Sequence, residues 1–320
     1  MNIFRDTEKT AVKDKQFVVA LGNFDGVHRG HQMLIQKTIL YANKNDALSS
    51  ALILHPHPQQ VLNPKASPKL IMNTDKKIET LKQQGIDNVI VIPFDLALSS
   101  LTPEEFIEKI LIAELRVSGI FVGYDYRFGY GAKGTPELLS TIGKRKGFHV
   151  EVIPPVLLQG VPISSTSVRE ALIAGNIERA KELLGYGPIL KGKIVSGNQQ
   201  GRKLGFPTAN IEMPDEILIP KDGVYVGEVF LKGNHYLTVI NIGNRPTFGC
   251  GEKQIEAHLL GFKGDIYDKD IEITLIKRLR EERKFESPHD LSEQIRKDIE
   301  AALVFYKELG QQQLYRGSIG

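Results

Sequence analysis

A chain of 320 residues is longer than one ordinary domain and predicts two, each able to bury its own core. Lys plus Arg (41) nearly balances Asp plus Glu (38), and no block of like charges stands out, which argues against a nucleic-acid arm. A single cysteine, Cys250, excludes an intrachain disulfide and predicts a reducing, cytoplasmic setting; the polar start "MNIFRDTEKTAVKDKQ" lacks a signal-peptide core, and no run reaches the roughly 18 apolar residues of a membrane span.

From residue 16 to about 185, the apolar runs "FVVALG", "SALILH", "NVIVIPF", "GIFVGYD" and "HVEVIPP" alternate with helical patterns at 31–44, 76–84, 103–116 and 135–146. Near-continuous Val/Ile/Leu runs fit strands covered on both faces, so the alternation predicts a parallel sheet with helices on both sides. Ligands of such sheets sit beyond the carboxyl ends of the strands. The stretch "LGNFDGVHRGHQ" falls at such an end, where Gly22, Gly26 and Gly30 permit a tight turn and the next helix offers free N–H groups to an anion. His28 and His31 add donors that can follow charge on a phosphoryl group. Alone, His-x-x-His reads as a surface or capping pair. A zinc site from His28, His31, His55 and His57 is the metal alternative, and no cysteine cluster accompanies it.

Farther on, "ISSTSVREAL" places Ser164, Ser165 and Thr166 before a helical stretch that carries Arg169, so hydroxyls, helix N–H groups and a guanidinium can converge on a triphosphate. The break at "LLGYGPILKG" sets the predicted boundary, 1–185 and 186–320. Beyond it, "LKGKIVSG", "GVYVGEVFL", "HYLTVINIG", "KQIEAHLLGF" and "DIEITLIKRL" are short, β-branched and separated by glycine turns, as in a small antiparallel barrel. In "GNQQGRKLGFPTANI", Thr208 and Asn210 alternate on an extended segment and can offer oxygen ligands to Mg²⁺, with Gly201 and Gly205 leaving room for a nucleotide. A final helix opens at "SPHD", capped by Ser287, with Leu291, Ile295, Ala302 and Phe305 as its apolar stripe.

"HRGH" resembles the H-x-G-H signature of the nucleotidyltransferase superfamily. The series "LGNFDGVHRGHQ", "PHP", "GYDYRFG", "ISSTSVR", "GRKLGFPTANI", "GVYVGEV", "NIGNRPTF", "IEAHLL" and "LREERKFES" resembles, in order, the bacterial bifunctional riboflavin kinase/FAD synthetase family. The resemblance implies a Rossmann-like nucleotidyltransferase domain followed by a kinase β-barrel with a C-terminal helix. It implies riboflavin phosphorylation to FMN in the barrel and transfer of AMP from ATP to FMN in the first domain.

By resemblance, His28 and His31 serve the ATP phosphates and the transition state, Gly22, Asn23, Phe24 and Asp25 line the nucleotide pocket, and Ser165, Thr166 and Arg169 hold the triphosphate. Asp125 and His57 match further family positions. In the kinase, Glu256 matches the catalytic base, Thr208 and Asn210 the Mg²⁺-ATP ligands, Gly201, Arg202, Gly205 and Pro207 the nucleotide loop, and Arg280 and Phe285 the flavin-side segment. The implied partners are riboflavin, FMN, FAD, ATP, ADP and pyrophosphate, with Mg²⁺ but no zinc or resident prosthetic group, no nucleic acid and no membrane; self-association stays open. Two positions depart from the pattern: Pro162 stands where a basic residue is common, which shifts more of the triphosphate's charge onto Arg169, and His55 stands before "PHP" where an acidic or other polar residue is common, with no role attached to it.

Overall fold

The apolar runs of the first half form strands because β-branched side chains pack well on a pleat covered on both faces. In this computed structural model, residues 2–5, 15–196, 205–244 and 253–317 are described, with side chains of the last helix described through 308. Packing divides the chain into two units, Met1–Ser165 and Thr166–Gly320.

The first unit holds a six-stranded sheet of β1 (Asn2–Phe4), β2 (Phe17–Leu21), β3 (Leu48–His55), β4 (Asn88–Pro93), β5 (Val117–Gly123) and β6 (His149–Ile153). The order is β1-β4-β3-β2-β5-β6 and every neighbouring pair is parallel. Its helices are α1 (Arg29–Lys44), α2 (Pro58–Leu62), α3 (Thr74–Gln83), α4 (Leu96–Ser100), α5 (Pro103–Glu105), which runs on into a π-helix (Phe106–Glu114), and α6 (Pro136–Lys146). Phe17, Val19 and Leu21 of β2 join one core with Ile107 and Leu111 of the π-helix and Leu139 and Ile142 of α6. Val18 points the other way, where a Cβ added to Gly119 would touch both Val18 and Tyr41 of α1. Helices therefore cover both faces. The chain leaves β2 towards β3 and later returns to β5 on the other side of β2, so a topological switch point, where such sheets bind ligands, lies beyond the ends of β2 and β5.

A short ribbon follows, β7 (Leu157–Leu158) and β8 (Val161–Pro162), and then α7 (Ser165–Ile173) spans the division between units. The second unit adds α8 (Ile177–Leu184) and a closed antiparallel barrel of β9 (Ile189–Val195), β10 (Ala209–Glu212), β11 (Gly223–Leu231), β12 (Asn234–Asn244), β13 (Lys253–Leu259) and β14 (Asp270–Arg280), ordered β10-β13-β12-β11-β14-β9. The packing division precedes the change of rhythm at 185/186. Leu172 O accepts from Lys221 N–H, and α8 packs on β14, so this helical pair belongs with the barrel. The last helix, α9 (Pro288–Gly317), opens where Ser287 Oγ accepts from Asp290 N–H at 3.2 Å. Its Ala302 is buried against Val224, Val226 and Val239 of the barrel.

Candidate active sites at the sheet switch point and on the barrel

The turn after β2 is held in left-handed backbone at Phe24 (φ 49°), Gly26 (φ 80°) and Val27 (φ 34°). For a β-branched residue such as Val27 this conformation is strained, and strain of this kind collects at ligand-binding turns. Phe24 and Val27 are fully buried, which fixes the turn from beneath. His28 then caps α1, its Nδ1 accepting from His31 N–H at 3.3 Å. An imidazole nitrogen that accepts carries no proton, so the neutral His28 ring is the Nε2–H tautomer and donates from Nε2. The two rings stack with centroids 3.7 Å apart, over a position where a side chain on Gly30 would meet His28 at 3.1 Å. His31 Nδ1 is buried with no hydrogen-bond partner among the described residues. Its pKa falls well below the ordinary 6.5 because of burial first, then the charge of His28, then that of Lys77.

Asp25, from the same turn, is buried, and its carboxylate accepts from the N–H groups of Ile71 (3.0 and 3.1 Å) and Met72 (3.4 Å). Asp25 thus ties the approach to α3 against the histidine turn and does not stand open as a lining group. Lys77 of α3, buried and singled out by no motif, lies near enough to His31 for its charge to bear on that ring. Ser165 Oγ donates to Asp25 O at 2.8 Å, so "ISSTS" begins at the same turn. Thr166 and Arg169 follow on α7, with Arg169 one helical turn beyond Ser165. Asn23 is exposed, and Gly22 leaves space taken by the Phe24 ring, 3.2 Å from where a Cβ would stand. Asp125 is exposed beyond β5, across the switch point, its carboxylate folded back over Gly123. His57 caps α2, with Nδ1 accepting from Gln59 N–H at 3.2 Å. Pro162 is exposed and pairs with Leu157 in the ribbon.

On the barrel, β13 alternates buried Ile255, Ala257 and Leu259 with half-buried Gln254, Glu256 and His258. Asn210 of β10 and Asn241 of β12 flank Glu256 in register, so the three share a face, and Thr208 lies two residues before Asn210, just ahead of the strand. Gln254 Nε2 donates to Asn210 Oδ1 at 2.8 Å and to Glu256 Oε1 at 2.6 Å. His258 Nδ1 is 2.7 Å from Pro207 O, and its ring meets Phe206 edge-on, which pins the loop that carries Gly205 and Pro207. Gly201 and Arg202 lie outside the described residues. Arg280 is committed to Asp298 of α9 by two hydrogen bonds of 2.9 and 2.7 Å, and Phe285 lies 5.9 Å below its guanidinium. Glu282 sits on Gly243, and burial followed by the charge of Asp222 raises its pKa.

Comparison with known proteins gives each half of the chain a family. The FAD synthetase family matches residues 10–167, and the riboflavin kinase family matches residues 184–306. A bifunctional riboflavin kinase/FMN adenylyltransferase of Buchnera aphidicola is 36% identical over 96% of this chain and 99% of its own. The chain belongs to the bifunctional riboflavin kinase/FMN adenylyltransferase family. The Escherichia coli member is 37% identical over 90% of this chain and 92% of its own. A crystal structure of a macrolide-efflux protein from Streptococcus pneumoniae shares the fold, with TM-score 0.84, 31% identity and coverage of 94% and 97% of the two chains. Efflux is said of that protein; among the described residues here, no helix is long and apolar enough to cross a membrane. The two family matches leave 168–183 between them, the stretch that packs with the barrel.

Three residues beside the candidate sites escape motif reading: Lys77, Gln254 and Asp298. Gln254 was within reach of strand alternation, since it shares a face with Glu256. Lys77 and Asp298 had no local signal, because helical charges at such spacings usually face water.

Proposed function

We propose that the two activities of this flavin-cofactor enzyme reside in separate sites: adenylyl transfer to FMN at the β2–α1 turn of 1–185, and riboflavin phosphorylation on the β10–β13 face of 186–320. The observation that carries the reading is the pair of stacked imidazoles, His28 and His31, at a helix entrance on the sheet switch point.

FMN brings a phosphate monoester that is largely dianionic near neutral pH, its second pKa being about 6. One of its oxygens attacks the α-phosphorus of ATP, the bond to the bridging oxygen breaks, and pyrophosphate leaves with that electron pair. No base is required. The site has to align the two phosphates and steady the charge, which the α1 N–H groups, the Nε2–H of His28 and Arg169 are suited to do. Ser165 and Thr166 hold the triphosphate at the start of α7. Asn23, Phe24, Gly22, His57 and Asp125 shape the pocket around it, with Asp25 as the buried anchor of the turn.

Riboflavin brings a primary alcohol, a poor nucleophile, so the kinase site needs a base. Glu256 takes the hydroxyl proton as oxygen attacks the γ-phosphorus and ADP leaves. Thr208 and Asn210 fit Mg²⁺ as hard oxygen donors at the start of β10, in the sparse set of protein ligands that Mg²⁺ with ATP commonly has. Bound there, Mg²⁺ supplies charge neutralisation at the ATP phosphates. Gly201, Arg202, Gly205 and Pro207 form the nucleotide loop, and Arg280, braced by Asp298, carries Phe285 on the flavin side. The setting is cytoplasmic.

Pure protein incubated with riboflavin, ATP and Mg²⁺ is expected to form FMN first and FAD later, with flavins resolved by chromatography. Formation of neither flavin sinks the reading.

A further inference from the structure

Gln254 is on one side of the barrel wall with groups from three strands. Its carboxamide nitrogen reaches Asn210 Oδ1 on β10 (2.8 Å) and Glu256 Oε1 on its own strand (2.6 Å), so both amide protons are used. Its partner in register on β12 is Gly243, over which the Glu282 carboxylate lies. The amide orientation follows from the contacts. Turned over, Gln254 would place its oxygen 2.6 Å from a carboxylate oxygen, a repulsive arrangement.

An sp² oxygen has two lone pairs. With one of them engaged by Gln254, Asn210 Oδ1 has a set direction for the other. The same amide donates to Glu256, and a charge-assisted bond of this kind restricts the carboxylate's rotation. We infer that Gln254 is a positioning residue of the kinase site, holding the base Glu256 and the ATP-side ligand Asn210 as one oriented unit. The inference rests on the kinase reading given above. It explains why a long amide stands two residues before the base on an otherwise alternating strand, where any polar residue would satisfy the pattern.

The full-length chain tests it with Gln254→Leu, which removes both donations at similar volume, and Gln254→Glu, which keeps the shape and adds a carboxylate beside Glu256. FMN formation from riboflavin is measured across riboflavin and Mg²⁺ concentrations, and the binding of Mg²⁺ with ADP by calorimetry. Gln254→Leu is expected to lose roughly 10–100-fold in kcat, as for removal of a group that orients a ligand, with the KM for riboflavin nearly unchanged. Gln254→Glu, which keeps the shape and loses the donor, should lose activity in the same way. The Mg²⁺ concentration for half-maximal rate should rise in both, and Mg²⁺ with ADP should bind more weakly. The thermal transition of the second unit reports that the barrel is folded. An unchanged kcat, or a loss of rate with unchanged binding of Mg²⁺ with ADP, overturns the inference. Absence of FMN from the unaltered protein overturns the kinase reading instead.

Discussion

His31 lies against a second imidazole and within range of a buried ammonium, and these surroundings decide its charge. Burial disfavours imidazolium most, and the positive charges of His28 and Lys77 add to it. Lys77→Met removes one of these causes, so the His31 pKa should rise towards 6.5 in an NMR titration; no change would mean that Lys77 does not face the ring. The lowered value also sets a stability slope. Below the unfolded pKa of 6.5 the unfolded chain takes up a proton that the folded ring refuses. Stability is therefore full above about pH 6.5 and falls as pH drops from there towards the folded value. His31→Gln should flatten this slope in melting curves of the first unit. The histidines were legible because their meaning is local: three glycines, a strand end and a helix start lie within one short stretch. Lys77 was not, because it lies on α3, and the turn meets the approach to that helix through the bonds of Asp25 to Ile71 and Met72, 46 and 47 residues along the chain.

Strands were easier to read than their neighbours in the sheet. Each apolar run became a strand, because runs of β-branched residues carry their own preference for the pleat. Pairing is a long-range property, and the sequence gives no sign that β1 lies beside β4 at the sheet edge or that Asn210 stands opposite Glu256. Yet this second pairing makes the barrel site, since it joins "GFPTANI" to "IEAHLL" across one ladder. The barrel also closes tightly at a glycine. A Cβ on Gly192 of β9 would fall 2.4 Å from the backbone oxygen of Glu212, which cannot move without opening the β9–β10 contact. Gly192→Ala should cost about 1–3 kcal/mol, as overpacking does, and lower the melting temperature of the second unit by about 2–4 °C per kcal/mol. Thermal unfolding checks this, and an unchanged transition would mean that the closure is softer than the contact implies.

The two units have separate hydrophobic cores, one between the parallel sheet and its helices and one between the barrel and α9. The two-domain plan was visible as a change of period, from helices alternating with strands to short strands between glycines. Its packing edge was not, because α7 and α8 have the same helical periodicity whichever core receives them. Separate cores and the two proposed sites make a two-way prediction. Glu256→Ala removes the base for a neutral alcohol, so FMN formation from riboflavin should vanish. Supplied FMN, already ionised, should still become FAD at the rate of the unaltered protein. His28→Ala should do the reverse, because it removes a donor to developing phosphoryl charge, worth roughly 10²-fold or more. FMN should then accumulate while FAD formation collapses. Chromatography of both variants, given riboflavin in one reaction and FMN in another, measures all four rates. Loss of both activities in either folded variant would mean that the two chemistries share a site, which the division into a switch-point turn and a barrel face does not allow.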